Sequence, residues 1–181
     1  MRVISGRLRG KRLEMLKEDA VRPTTDKVKE SIFNVIQFDV VGASFLDLFA
    51  GSGQIGIEAL SRGARAATFV DESSRAIDVV RRNLVSTALL ERAEVVQKDA
   101  ISFLRQVRSR FDIAFLDPPY KTGILQTALG LVTDVMSERG IIICEHPAEE
   151  ILPVNIKNFS VSKSYKYGKI MLTVYRCEQL K

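Results

Sequence analysis

Only two cysteines, Cys144 and Cys177, occur in the 181 residues, too few for a disulfide framework or a zinc site of their own. No apolar stretch approaches the roughly 20 residues that cross a bilayer. The first residues, Met1-Arg2-Val3-Ile4-Ser5-Gly6-Arg7, hold no apolar run of the kind a secretory signal needs. Repeats, low-complexity tracts and Gly/Ser linkers are missing too. These absences lead to the expectation of a soluble, reduced, cytoplasmic protein, a monomer by default, with neither membrane nor metal among its partners. Apolar residues make up 46% of the chain and charged ones 27%, which argues against disorder. The length suits one domain.

One further absence is local. No Asp or Glu occurs in the first twelve residues, where Arg2, Arg7, Arg9, Lys11 and Arg12 crowd together. The whole chain carries 27 Lys+Arg against 22 Asp+Glu, a net +5, so this placement says more than the total. Such a cluster suits phosphate contacts, each of which releases counterions; it is also what a solvated terminus looks like. Residues 1–20 read as a small basic β-hairpin bent at Gly6 and Gly10. In Arg22-Pro23-Thr24-Thr25-Asp26, Pro23 blocks backward helix extension and a threonine can cap. The helix that follows presents Val28, Ile32, Val35 and Ile36 and is expected to stop near Asp39.

From residue 45 short apolar strands alternate with helices. Phe45–Phe49, Ala67–Val70, Glu94–Val96, Asp112–Leu116 and Gly140–Cys144 are each apolar enough to be covered on both faces, which predicts a parallel sheet. Ser73 or Ser74 can cap the helix carrying Ile77, Val80 and Leu84. The tail differs: Phe159–Tyr165 and Ile170–Tyr175 alternate, and Lys166-Tyr167-Gly168-Lys169 connects them as an antiparallel pair. The fold expected is an open, doubly wound, Rossmann-like α/β domain with an N-terminal extension.

In such sheets ligands sit beyond the carboxyl ends of the strands, and Asp47, Asp71, Asp99 and Asp117 stand there in succession. Gly51-Ser52-Gly53-Gln54-Ile55-Gly56 matches G-x-G-x-x-G, with Asp71 about 20 residues on, as a ribose-binding acid is spaced. The match fits either a nicotinamide cofactor or S-adenosylmethionine. Asp47, just before the loop, opposes a pyrophosphate but suits the ammonium and sulfonium of S-adenosylmethionine. The Lys-Ser/Thr of an NTPase loop is lacking. Asp47, Phe49, Ala50, Gly51, Ser52, Gly53, Asp71 and Asp99 are the candidate cofactor residues. Asp71 would take the ribose hydroxyls and Asp99 the adenine amine, though Asp99 reads equally as a helix cap.

Asp117-Pro118-Pro119-Tyr120 is the sharpest feature. Two prolines after a buried strand give a stiff backbone of carbonyl acceptors with no N–H groups, suited to holding a nucleobase amine. Such an amine is a poor nucleophile because its lone pair is delocalised into the ring. Hydrogen bonds to the Asp117 carboxylate and the Pro118 carbonyl localise that pair for attack on a methyl group. Whether Asp117 also takes the proton stays open. Tyr120 offers a face for an unstacked base. The only histidine, His146, is expected to be a surface or structural residue, and Cys144 strand core.

Asp47-Leu48-Phe49-Ala50-Gly51-Ser52-Gly53, Asp117-Pro118-Pro119-Tyr120, and Arg22-Pro23-Thr24 through Phe33-Asn34, in this order, resemble the RsmD-type enzymes. These are bacterial methyltransferases acting on the N2 amine of a guanine in small-subunit ribosomal RNA. The resemblance spans essentially the whole chain, including Glu58–Ala64 and Tyr167-Gly168. It implies seven strands ending in an antiparallel pair, S-adenosylmethionine as methyl donor, and an assembling small subunit as substrate. It puts Arg22 and Thr24 near cofactor and base, and makes the hairpin, with Arg7, Arg9, Lys11 and Arg12, an RNA contact. Residues 1–20 are then an extension on a methyltransferase domain of residues 21–181. Relatives usually have Glu where this chain has Asp71. The competing readings are a DNA adenine-N6 or cytosine-N4 amino-methyltransferase, which lacks room here for a target-recognition region, and a nicotinamide oxidoreductase, which leaves Asp-Pro-Pro-Tyr idle.

Overall fold

In the computed structural model, which describes residues 1–16, 26–120 and 122–178, apolar strands and amphipathic helices alternate from residue 44 onward. The elements are α1 (Asp26–Val35), β1 (Ser44–Asp47), α2 (Gln54–Ser61), β2 (Ala66–Asp71), α3 (Ser74–Ser86), β3 (Ala93–Gln97) and α4 (Ala100–Gln106). They continue with β4 (Phe111–Leu116), α5 (Ile124–Val132), β5 (Met136–Pro147), β6 (Asn155–Ile156), β7 (Phe159–Tyr167) and β8 (Ile170–Cys177). The strands form one sheet in the order β3-β2-β1-β4-β5-β8-β7-β6. Its first five members run parallel and the last three attach antiparallel. Among the described residues eight strands stand where seven were expected, because the two-residue β6 pairs with the start of β7. It carries too few residues to show a period of its own.

The two-residue strand period sorts the core into two layers. Phe45, Phe69, Phe115 and Ile143 face α1, α2 and α3, while Leu46, Val70, Leu116 and Cys144 face α4 and α5. α1 buries Val28, Ile32 and Phe33, and Phe33 stacks on Phe45 with ring centroids 6.5 Å apart. Full burial of each such side chain contributes about 1.5–3 kcal/mol. The helix ends at Val35, short of the expected Asp39; turns continue the chain, and Val40 N–H still donates to the Ile36 carbonyl.

The N-terminal hairpin lies on α2. Arg2 and Arg12 form its ladder bridge, and Val3 and Leu13 are buried beneath it. Gly6 allows the tip to close on the helix, since a Cβ there would sit 2.1 Å from the Ser61 carbonyl oxygen. Ile4 and Ser5 N–H both donate to the buried Glu58 carboxylate, at 2.8 and 2.9 Å. Arg62 bonds the same carboxylate at 2.8 Å, and the fully buried Lys29 donates to the Arg2 carbonyl at 2.7 Å.

Candidate active site

The strand order sets the expected acids side by side. Asp99, Asp71, Asp47 and Asp117 follow or end β3, β2, β1 and β4, which are successive neighbours in the sheet. The β1/β4 junction is where the order reverses, the position at which open α/β sheets bind ligands. Glu145 in β5 extends the row. The register pairs Leu116 with Cys144, so Asp117 and Glu145 lie next to each other across adjacent strands. Asp47, Asp71, Asp117 and Glu145 share the parity of Phe45, Phe69, Phe115 and Ile143 and so face the α2 layer.

The glycine loop is stitched to this edge. The Ala50 N–H reaches the Val70 carbonyl at 2.9 Å, and Gly51 N–H donates to Asp71 Oδ2 at 2.9 Å. Asp71 Oδ1 takes the Ser73 N–H, also at 2.9 Å. Gly56 is required by packing: a Cβ there would fall 2.3 Å from the Phe69 ring, so α2 could not close on β2. The Asp47 carboxyl accepts the Gly56 N–H at 2.9 Å, pinning the first turn of α2. It is 1% exposed, and burial, with Asp71 nearby, pushes its pKa up to about 7. Phe49 packs against the other core layer and Ala50 is buried. Ser52 offers its carbonyl to Asn83 Nδ2 at 2.9 Å.

Asp99 caps α4, with its side chain accepting the Ser102 N–H at 2.8 Å, which holds its carboxyl below the usual range. It is exposed and at the outer end of the row, so the cap reading holds and the adenine contact stays a proposal.

Pro118 is buried while Pro119 and Tyr120 are exposed, and with Glu145 and His146 they line a small pocket of about 10 Å³, room for about one water. The Tyr120 hydroxyl donates to Glu145 Oε1 at 3.3 Å. Burial first, then Glu145 and Asp47, hold the Asp117 carboxyl well above the ordinary carboxylate value. His146 is structural, as expected, but buried rather than on the surface. Its Nδ1 meets the Pro147 carbonyl at 2.9 Å, which can only accept, so Nε2 accepts from Thr173 Oγ1 at 2.9 Å. Burial lowers its pKa, and both ring nitrogens are engaged.

Two residues enter that the sequence reading did not select. Glu145 obeys the same strand-end rule as the four aspartates, one strand further on. Asn83 takes the Glu14 N–H on its Oδ1 at 2.7 Å, joining the chain after the hairpin to the glycine loop. Only the fold brings it there. Arg7, Arg9, Lys11 and Arg12 are exposed. The Arg7 N–H bonds the Ser61 carbonyl, so the hairpin tip lies one length of α2, about 12 Å, from the glycine loop. Arg22 and Thr24 lie outside the described residues.

An open parallel sheet with a glycine loop after its first strand and Asp-Pro-Pro-Tyr closing its fourth defines a class I methyltransferase. The chain belongs to the conserved hypothetical protein 95 family, whose pattern matches residues 1–176. It is 42% identical over 181 residues to YlbH of Bacillus subtilis, covering 97% of this chain and 98% of that one. It is 36% identical over 180 residues to the ribosomal RNA small subunit methyltransferase D of Escherichia coli K12, covering 98% and 90%. The solved structure of yhhF from Escherichia coli matches with a TM-score of 0.90 and 35% identity over 99% of each chain. These relatives bear out the RsmD likeness.

The edge also fits S-adenosylmethionine. The space above Gly51 is open, with no atom of the described residues within 4 Å of where a Cβ would stand. Beside it Gln54 is 8% exposed and its Oε1 has no hydrogen-bond partner among the described residues. The carboxylates of Asp47 and Asp71 provide acceptors for a cationic, hydroxyl-bearing ligand.

Proposed function

We propose that this protein transfers a methyl group from S-adenosylmethionine to the exocyclic N2 amine of a guanine in small-subunit ribosomal RNA. The observation that carries this reading is the Asp117-Pro118-Pro119-Tyr120 edge beside the glycine loop, the two following the carboxyl ends of the paired strands β4 and β1. Relatives named as methyltransferases of ribosomal RNA support the substrate class.

Asp71 and the loop Phe49-Ala50-Gly51-Ser52-Gly53 hold the donor, with Asp47 supplying negative charge behind the loop. When bound, the donor supplies a methyl carbon made electrophilic by its sulfonium. Asp117 and the Pro118 carbonyl accept from the two amine hydrogens and turn the nitrogen lone pair outward. That nitrogen bonds to the methyl carbon as the carbon–sulfur bond breaks, and the amine then loses one proton. The raised pKa of Asp117 suits a group that can hold it. Pro119 stiffens the turn, and the 42% exposed Tyr120 presents its ring to the flipped base. Residues 1–20 act as a phosphate-gripping extension through Arg7, Arg9, Lys11 and Arg12. The partner is the small subunit during assembly, met in the cytoplasm by a monomer.

The protein is to be incubated with methyl-labelled donor and, separately, DNA, naked ribosomal RNA and small subunits, and the labelled nucleoside identified. N2-methylguanine from the ribosomal material is expected. Label in DNA alone establishes the DNA amino-methyltransferase reading instead. Asp117→Ala is expected to lower turnover by about 10²–10³-fold while sparing donor binding; unchanged turnover removes Asp117 from the chemistry.

A further inference from the structure

We propose that Glu145 selects the base, its carboxylate accepting the ring N1–H of the target guanine while Asp117 accepts the neighbouring amine. The inference rests on the guanine reading above and adds to it the group that enforces it. Asp117 and the Pro118 carbonyl cannot make the choice, because adenine, cytosine and guanine all offer an exocyclic NH2. The bases differ in the ring nitrogen beside that amine. In guanine one of the two flanking ring nitrogens, N1, carries a proton; in adenine and cytosine the flanking ring nitrogen is a bare acceptor.

Glu145 is placed to read that difference. The β4/β5 register sets it beside Asp117, about 4.8 Å away at the backbone. Both side chains take the face of Phe115 and Ile143, so two acceptors stand together as the donors N1–H and N2–H stand together. Glu145 is 2% exposed yet forms part of the pocket wall with Pro118, Pro119 and Tyr120. Its Oε1 takes the Tyr120 hydroxyl at 3.3 Å, which fixes the carboxylate relative to the ring on which the base lies. An ionised carboxylate only accepts hydrogen bonds. Facing it with a bare ring nitrogen sets acceptor against acceptor in a desolvated site, the arrangement by which buried polar groups reject a substrate lacking the matching proton. The tyrosine contact holds the selector in place, and the β4/β5 neighbour relation matches its spacing to the edge of one base.

The test uses the full chain and small subunits reconstituted with either guanine or 2-aminopurine at the mapped target nucleotide. 2-Aminopurine keeps the 2-amino group but has no N1–H. Single-turnover methyl transfer by the unaltered protein is expected to favour guanine by about 10²-fold or more. Glu145→Gln, whose amide can donate to a bare nitrogen, is expected to compress that ratio at least about 10-fold, and Glu145→Asp to retain it. Donor binding by calorimetry confirms that each variant is folded. Equal transfer to both bases by the unaltered protein overturns the inference. So does an unmoved ratio in Glu145→Gln, or loss of activity on both bases by a variant that still binds donor. In the guanine-containing subunits, label on any nucleoside other than N2-methylguanine overturns the guanine reading itself, whereas N2-methylguanine there with an unmoved ratio overturns this inference alone.

Discussion

Two groups of buried charge lie on the same face of the sheet, toward opposite ends of α2, and they follow opposite rules. Toward the C-terminal end, Glu58 is fully buried with both oxygens engaged, by the amides of Ile4 and Ser5 and by Arg62. Lys29 beside it is just as buried and gives its ammonium to the Arg2 carbonyl and to Asp26. Burial lowers the Lys29 pKa, and the facing Glu58 and Asp26 work against that shift. Toward the N-terminal end, Asp47, Asp117 and Glu145 crowd like charges together, and Asp47 and Asp117 are pushed upward by burial and by acidic neighbours. The first group is closed and holds the hairpin. The second is crowded with acids whose pKa values burial and like charge raise, and perturbation of this kind marks a working site better than the mere presence of acids does.

The sharpest way to break this contrast is at Glu58. Glu58→Gln leaves Lys29 and Arg62 without their shared anion and turns an amide toward backbone donors. A loss of about 3–5 kcal/mol is expected, as for other broken buried pairs, read from urea unfolding at pH 7. A loss below about 1 kcal/mol would mean that the closed group is no more structural than the open one.

The opposite sign is expected at Asp47. Its folded pKa, about 7 against an ordinary 3.8, means that the native state holds the proton more tightly than the unfolded chain. The stability this confers is complete below about pH 4 and is lost as pH rises through about 7. Asp47→Asn keeps an oxygen for the Gly56 N–H and removes the charge, so stability at pH 8 is expected to rise by about 1–3 kcal/mol while donor binding weakens. Thermal melts of both proteins at pH 5 and pH 8 test it, since the gain must grow with pH. A constant difference would show that Asp47 is not strained.

How much of this could be read from the sequence follows from the range of the forces involved. Strand periodicity and the Asp-Pro-Pro-Tyr turn are local, so the parallel sheet, the antiparallel finish and the site edge were all legible. The Asp99 cap was legible for the same reason. Glu145 was hidden by neighbouring His146, a more conspicuous residue type, although it follows four apolar residues of β5 as the aspartates follow theirs. The roles of Glu58 and Asn83 were not legible at all. Each is an ordinary polar residue in a helix until the hairpin folds across it, and those contacts join positions 54 and 69 residues apart. Asp47 was read as a ligand for the donor, and the structure adds a second task, because the same carboxyl holds the first turn of α2.

The hairpin sharpens the comparison from outside the core. Its backbone is locked by Glu58 and Ser61, whereas Arg7, Arg9 and Lys11 are exposed and make no ion pair among the described residues. Charge that contributes nothing to the fold is free to serve a partner. Replacing these three residues by alanine is therefore expected to leave the melting temperature within about 5 °C of the original, because surface substitutions of this kind each fall within about 0.5 kcal/mol. Affinity for ribosomal RNA is expected to fall, and the plot of log affinity against log salt to flatten by about two to three units, close to one for each phosphate contact given up. The slope is the decisive quantity, since general damage to the protein weakens binding without changing it. An unaltered slope would return the cluster to a solvated surface and leave RNA recognition to the edge around Tyr120.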